Sequence, residues 1–427
     1  MNQQQFADYL FKGLGRPYLY LQQHPTTAFH DALLHACLYN PRYDPQCEGS
    51  RTEYLHGLIE LSPDASSYTQ LILDALADPD DEMALEQLFD FALIFAQRDD
   101  ASARRVLYEQ SADFASVGDT VGARQLIQLD GIEGFLFVAQ RLGEAIDSET
   151  DFWDYDYVFE YLEAHTEADQ LHEVLAHARS VQPFVDRYLT PVEQFRAGRK
   201  QAADQRQAQD LPSFAALSAA IRENPRAVGF VPLRNWGRGA SSDEIERAAR
   251  TLLTVADPKQ LVAYLTIFGD RAFPLDMRRL FRLAWHEDDL VSLRTLQILT
   301  SVQHPDVRAL AFELLEDDPT NGNALALLTH NYQPGDEQFM ATLVAQAADH
   351  HAVHSLTSGI NDVFEQNPMP GATDLLLTLY ERSPCSICRG TSIDLLIECD
   401  ALPAWIVAEA RYDANEAIRD AVLGNKS

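Results

Sequence analysis

The apolar residues of this chain recur at helical spacing almost everywhere and at strand spacing almost nowhere. Ile245, Ala248, Ala249, Leu252, Leu253 and Ala256 fall at i, i+3, i+4, i+7, i+8 and i+11. That spacing lines up one face of a helix. Ser241 and Glu244, just ahead of them, stand at capping-box spacing. The same pattern returns in Leu261, Tyr264, Leu265 and Phe268, in Val307, Leu310, Ala311, Leu314 and Leu315, and in Leu85, Leu88, Phe89, Ala92 and Ala96. Short polar breaks (ADPDD, QRDD, SVGD, WHEDD, EDDPTNG, YQPGD) separate these stretches. They supply capping Asp and Ser, helix-ending Gly, and Pro. The expectation is an all-α chain. GFVPL (229–233) is the one stretch considered as extended, and its Pro counts against a strand.

A chain of 427 residues implies two or three folding units, unless it is a repeat array. Its hydrophobic content of 46% is that of a globular protein. FAQRDDASARR (95–105) and FASVGDTVGAR (114–124) match at Phe95/Phe114, Ala96/Ala115, Asp100/Asp119 and Arg105/Arg124, all at an offset of 19 residues. One helix plus its turn fits that offset, and two fit a repeat of ~40 residues. HPDVRALAFELL (304–315) and YDANEAIRDAVLG (412–424) then resemble the second helix of HEAT repeats. Asp413, Ile418 and Arg419 match the whole pattern. Val307, Arg308, Ala311, Leu314 and Leu315 match most of it, although Val302 stands where Asp is expected. The resemblance covers 241–427 best, 20–145 more weakly, and nothing between. It implies a HEAT-like α–α superhelix of stacked antiparallel helix pairs, in two helical halves. In such repeats Asp caps one helix and Arg reaches the acid of the neighbouring repeat.

Charge divides the chain further. Net charge is −32 overall: −23 over 1–195, +4 over 196–294 and −13 over 295–427. A field this negative repels phosphate backbones. Three segments are expected: an acidic helical domain at 1–190, an Arg/Gln-rich linker and irregular segment at 191–240, and a HEAT-like domain at 241–427. The acidic, aromatic stretch 148–165 reads as packing its rings inward and closing the first domain. The opening MNQQQFADYLFKGLG has no basic region ahead of an apolar run, so no secretory signal is expected. The longest apolar runs, FALIFA (91–96) and GFLFVA (134–139), are far short of the ~20 residues of a membrane span. Five cysteines do not make a disulfide scaffold. The expectation is a cytoplasmic chain with free thiols and no membrane contact.

Motifs for nucleotide, zinc-protease, serine-hydrolase and calcium chemistry are missing from the sequence. GRGASS (237–242) reads as a turn that caps the next helix, with anion binding as the sharper alternative. Cys385 and Cys388 stand at CxxC spacing, with Cys399 eleven residues on. Two such thiolates chelate zinc, which wants four ligands, and no second CxxC follows. Zinc at Cys385/Cys388 is thus one reading and a redox dithiol beside Arg389 a second. Thiols packed between helices are the plainest. His350 and His354 lie at i, i+4, either a two-ligand metal pattern or a solvated pair. The polar loop 43–51 is a site candidate or a helix connector. Arg222, Arg226, Arg234, Arg238, Arg247 and Arg250 cluster around Trp236. Arginine with an aromatic suits base stacking, phosphate, or an acidic helix. Arg226, Arg234, Trp236 and Arg238 are the partner-binding candidates.

These readings combine into a non-enzymatic helical-repeat scaffold. It would bind a protein or peptide of basic character on its concave face, with no cofactor beyond zinc at the cysteines. The competing reading is a nucleic-acid-processing protein resembling the HEAT-like alkylpurine DNA glycosylases, gripping its substrate through the Arg-rich middle. The acidic charge makes nucleic acid the less expected partner. A cofactor-handling HEAT protein such as a bilin lyase is a third reading, with no motif behind it.

Overall fold

The structure, a computed structural model, describes residues 1–79, 82–146, 156–207 and 211–424, with the side chains of 82, 168–170 and 203–207 left aside. Among the described residues it is all-helical, with 26 α-helices and no strand. Among the described residues no helix is long and apolar enough to cross a membrane. Two compact bodies are distinguished: Met1–Gln209 with Glu409–Arg419, and Asp210–Ala408 with Asp420–Ser427.

The first body holds α1 (Gln3–Lys12), α2 (Arg16–Gln23), α3 (His30–Leu38), α4 (Thr52–Glu60), α5 (Ala65–Ala77), α6 (Leu85–Gln97), α7 (Ala101–Ser116), α8 (Ala123–Asp130), α9 (Ile132–Ala145), α10 (Tyr157–Ala164), α11 (Ala168–Val181) and α12 (Pro183–Gln207). Its helices pack alternately. α2, α4, α6, α8 and α10 touch in succession, and so do α1, α3, α5, α7 and α9, with α12 lying on α9. Phe6, Phe89, Phe91, Phe135 and Tyr188 are fully enclosed between the two rows.

The second body holds α13 (Phe214–Glu223), α14 (Phe230–Gly239), α15 (Ser242–Leu252), α16 (Pro258–Ile267), α17 (Arg278–Leu283), α18 (Asp289–Thr300), α19 (Pro305–Asp317), α20 (Gly322–Ala326), α21 (Asp336–Gln346), α22 (His350–Gln366), α23 (Thr373–Arg382) and α24 (Ser386–Glu398), while α25 (Ala404–Ala410) is divided between the two bodies. The last described helix is α26 (Glu416–Gly424). Here α14, α16, α18, α20, α22 and α24 each pack on the next, and α15, α17, α19, α21 and α23 each pack on the helix that follows.

The 19-residue sequence match is one turn used twice. The amide of Asp100 donates to the Phe95 carbonyl at 3.2 Å, and that of Asp119 to Phe114 at 3.0 Å. The preceding residues, Asp99 (φ 65°) and Gly118 (φ 85°), are left-handed. This is the Schellman closure of a helix, after which Asp100 caps α7 through the amides of Ser102 and Ala103.

Several expectations are corrected. GFVPL is not extended: α14 begins at Phe230, with Pro232 in its first turn. The first four helical amides have no partner within the helix, so proline costs nothing there. The segment read as linker and irregular structure carries the end of α12, all of α13 and all of α14. The boundary read at 190/191 falls inside α12, which continues through Pro191. Of the acidic aromatic stretch, 148–155 lies outside the described residues; Phe159 packs inward against Phe135 as expected, but Tyr157 is exposed.

Arginine, which outnumbers lysine 29 to 4, is used as a clamp on helix ends. Arg279 donates to the carbonyls of Leu253 (2.5 Å) and Val255 beyond α15. Arg382 donates to Val344 and to Ala347 (2.8 Å) at the end of α21. Arg271 donates to Gly237 (3.0 Å) and Ala240 (2.9 Å) at the end of α14. A planar cationic fork matches the unpaired carbonyls and negative pole of a helix C-terminus, which an ammonium point charge does less well.

Candidate functional site

Two features of the second body gather side chains with chemistry. The first is a groove of about 340 Å3, lined by Arg234, Leu265, Arg294, Gln297, Asn323 and Asp362 among others. They come from α14, α16, α18, α20 and α22, so the groove runs across five successive helices of one row. Asp270 holds Arg234 through two hydrogen bonds, one at 3.0 Å, and Arg238 at 2.7 Å. The hydrogen bonds from Arg234, with the charges of both arginines, pull the Asp270 carboxyl below its ordinary pKa. Arg294 lies over the Phe230 ring at 4.8 Å and donates to Gln297 at 2.8 Å. Asp362 behaves oppositely. Its side chain reaches solvent, but the walls desolvate it and Glu365 adds like charge, so its pKa is raised. Asp394, on α24 next in the row, is raised by desolvation as well.

The second feature is a cluster of soft ligand atoms. His354 on α22 and Cys385 and Cys388 at the start of α24 bring one donor atom each within 4.8 Å of one another. Cys388 Sγ lies 3.6 Å from His354 Nδ1. Cys385 is buried, the other two half-buried. Local sequence explains the pairing of the thiols. Cys385 is the N-cap of α24 and Cys388 its third residue, and side chains at those positions share one side of the first turn, as in a capping box. Pro384 restricts Ser383 to an extended conformation, observed at φ −62°, ψ 127°, so the helix starts where it does. The positive end of the helix dipole favours thiolates there.

The register that brings His354 opposite is set deeper in the interface. Asn361 on α22 donates to the Cys388 carbonyl at 2.8 Å. The Ser392 hydroxyl donates to Asn361 Oδ1 at 3.1 Å and stands 3.1 Å from the same carbonyl. Both polar side chains are buried. On the other side, α22 is pressed against α20. A Cβ at Gly359 would lie 2.2 Å from the Gly322 carbonyl oxygen, and one at Gly322 would lie 2.0 Å from that of Ser355. No side chain fits at either position.

Cys399 does not join this cluster. It caps the far end of α24, a helix of 13 residues and hence about 20 Å in length. His350, although at i, i+4 from His354, is not part of the group of three. Sequence spacing singled out His354 only as the partner of His350, and could not join it to the two cysteines, which stand on a different helix.

The arginine cluster is partly rearranged. Trp236 is 1% exposed, donates to the Pro212 carbonyl at 2.7 Å and lies beside Phe214. It is a core residue and offers no ring to a partner. Arg226 is exposed, Arg234 and Arg238 share Asp270, and Arg250 pairs with Glu246 on its own helix. GRGASS supplies the end of α14 and the Ser241 cap of α15.

In the first body, the loop 43–51 is wired into the end of α1. Buried Arg51 donates to the Leu10 carbonyl at 2.9 Å and to that of Phe11, and pairs with buried Glu48 at 3.3 Å. A cavity of about 710 Å3 opens between α10, α11 and α12. Its charged residues Arg179, Asp186 and Glu193 are already paired with one another, and Glu163 with Arg196. Cys37 is enclosed, and burial pushes its thiol pKa up.

No family model, curated protein or solved structure matches the chain.

Proposed function

We propose that the chain is a HEAT-like helical-repeat scaffold that holds a basic protein segment along the row α14 to α24. The observation that carries this reading is the groove shared by five successive helices, with Asp362 on its wall and Asp394 on the next helix, both exposed yet desolvated enough to raise their pKa. A carboxylate whose charge is costly in the free protein gains most from an incoming cation. The repeat reading has two supports. One is the alternate packing of helices in each body. The other is Arg308 on α19, which forms a two-pronged pair with Asp336 at the start of α21 (2.6 and 2.7 Å). The nucleic-acid reading has less support: Trp236 is core, and Arg234 and Arg238 share Asp270, which offsets one of their two charges.

The test is a titration of fluorescent peptides, one rich in Lys/Arg and one of reversed charge, into the full chain. Saturable binding of the basic peptide alone is expected, weakened severalfold in Asp362→Asn/Asp394→Asn and weakened by salt. Equal affinity for both peptides, or an affinity the double variant leaves unchanged, defeats the reading.

A further inference from the structure

We propose that His354, Cys385 and Cys388 form a binding site for a zinc-class divalent metal ion, with three protein ligands and one exchangeable position. The proposal is independent of the groove. It rests on donor type, donor spacing and the support beneath the donors.

Donor type comes first. Two thiol sulfurs and an imidazole nitrogen suit zinc and ions that mimic it, and do not suit magnesium or calcium, which take oxygen ligands. Spacing is the sharper point. Zinc holds sulfur at about 2.3 Å and imidazole nitrogen at about 2.0–2.1 Å in a tetrahedron. Those bond lengths and the tetrahedral angle put sulfur and nitrogen about 3.6 Å apart. The observed separation of Cys388 Sγ and His354 Nδ1 is 3.6 Å, and Cys385 Sγ lies within 4.8 Å of both. The Cys388–His354 pair thus stands at the separation a tetrahedral ion needs, with the Cys385 thiol close enough to join it.

The support is the kind a metal site uses. Ligands hold an ion tightly when the groups behind them fix their positions. Here Asn361 holds the Cys388 carbonyl and is itself held by the Ser392 hydroxyl, both residues being buried, while the Gly322–Gly359 contact fixes the height of α22. A bound ion would staple α22 to α24. Among the described residues the cluster offers three donors. Three protein ligands leave a fourth position for water or for a ligand brought by a partner, as in open rather than closed zinc sites.

The experiment uses the reduced full chain, stripped of metal and then loaded with zinc or with cobalt(II) alone. One equivalent of zinc is expected after dialysis in the wild type and in Cys399→Ser. Cys388→Ser and His354→Ala should bind at least tenfold more weakly, with helicity unchanged. Because Cys385 is buried and its replacement risks misfolding, the cobalt(II) spectrum of the unmutated chain supplies the second readout. Thiolate-to-cobalt charge-transfer absorption with intense tetrahedral ligand-field bands is expected. Added azide should shift the ligand-field bands by taking the fourth position. Zinc below a tenth of an equivalent, uptake unaffected by both variants, or a weak six-coordinate cobalt spectrum without thiolate absorption overturns the site. Ligand-field bands indifferent to azide overturn the exchangeable position.

Discussion

Each body buries a polar cluster in an otherwise apolar helical interior, and the two clusters differ in where their polar atoms point. In the first body, Arg51 and Glu48 turn inward onto each other and onto the carbonyls of Leu10 and Phe11. In the second, Ser392 donates to Asn361 and Asn361 to the Cys388 carbonyl, while His354, Cys385 and Cys388 bring their donor atoms together beside them. A charge wired to backbone is a clamp. Its worth is in the fold, since burying a charge is tolerated only with full pairing. Donors converging on one point above such a support are arranged for something that fits between them. The contrast separates a structural polar core from a site without any appeal to residue type alone.

Breaking the clamp is expected to have the largest effect. Arg51→Ala leaves Glu48 charged and enclosed, which costs about 3–5 kcal/mol. The transition of the first body in urea, followed by helicity, should move to lower denaturant. Arg51→Lys should rescue only part of the loss, because an ammonium cannot fork across two carbonyls. Full rescue by lysine would mean that charge alone matters and would dissolve the contrast.

Asn361→Ala comes next. It removes two hydrogen bonds from a buried interface and leaves the Ser392 hydroxyl to re-pair, a loss of about 1–3 kcal/mol. The distinguishing readout is zinc affinity, expected to fall by about 10–100-fold, the usual effect of removing a group that orients a ligand. A variant that is destabilised but binds zinc as before would make Asn361 a clamp like Arg51. A smaller effect, about 1–2 kcal/mol, is expected for Arg308→Lys. Its two-pronged pair with Asp336 is only partly enclosed, with 21% of the arginine side chain exposed, so water screens what Arg51 feels in full.

The helical fold was legible because its signal is local: one apolar face per helix, one capping residue per break. The Schellman turns were legible as a repeat even though their geometry was not. The thiol pair was legible too, since i, i+3 at a helix start fixes its own geometry. Its meeting with His354 was not, because the offset between α22 and α24 depends on Gly322, Gly359, Asn361 and Ser392, none of which announces a partner in sequence. Cys399 misled for the same reason in reverse: proximity along a helix becomes distance along its axis. Pro232 was read as a strand-breaker when it is a helix-starter, and Trp236 as a binding ring when Phe214 and the Pro212 carbonyl hold it inside. In both cases local chemistry was sound, and tertiary burial decided between its two meanings.

The smallest effect is a difference in sign between two carboxylates of the second body: Asp362, which lines the groove, and Asp270, which grips the groove's Arg234. Asp270 is held below its ordinary pKa by Arg234 and Arg238. The stability it contributes is present above the unfolded value of about 3.9 and is lost as pH falls through the folded value. Asp362 is held above its ordinary pKa. Its ionisation therefore costs stability, fully so above the folded value, and the cost is relieved as pH falls toward about 3.9. Asp362→Asn should raise the melting temperature slightly at pH 7 and lose that advantage near pH 4, whereas Asp270→Asn should lower it at pH 7 and converge on wild type in acid. Melting curves of the two variants across pH 4–7 check this. If both variants shift the same way at pH 7, Asp362 is paired like Asp270 and holds no charge in reserve for a cationic segment.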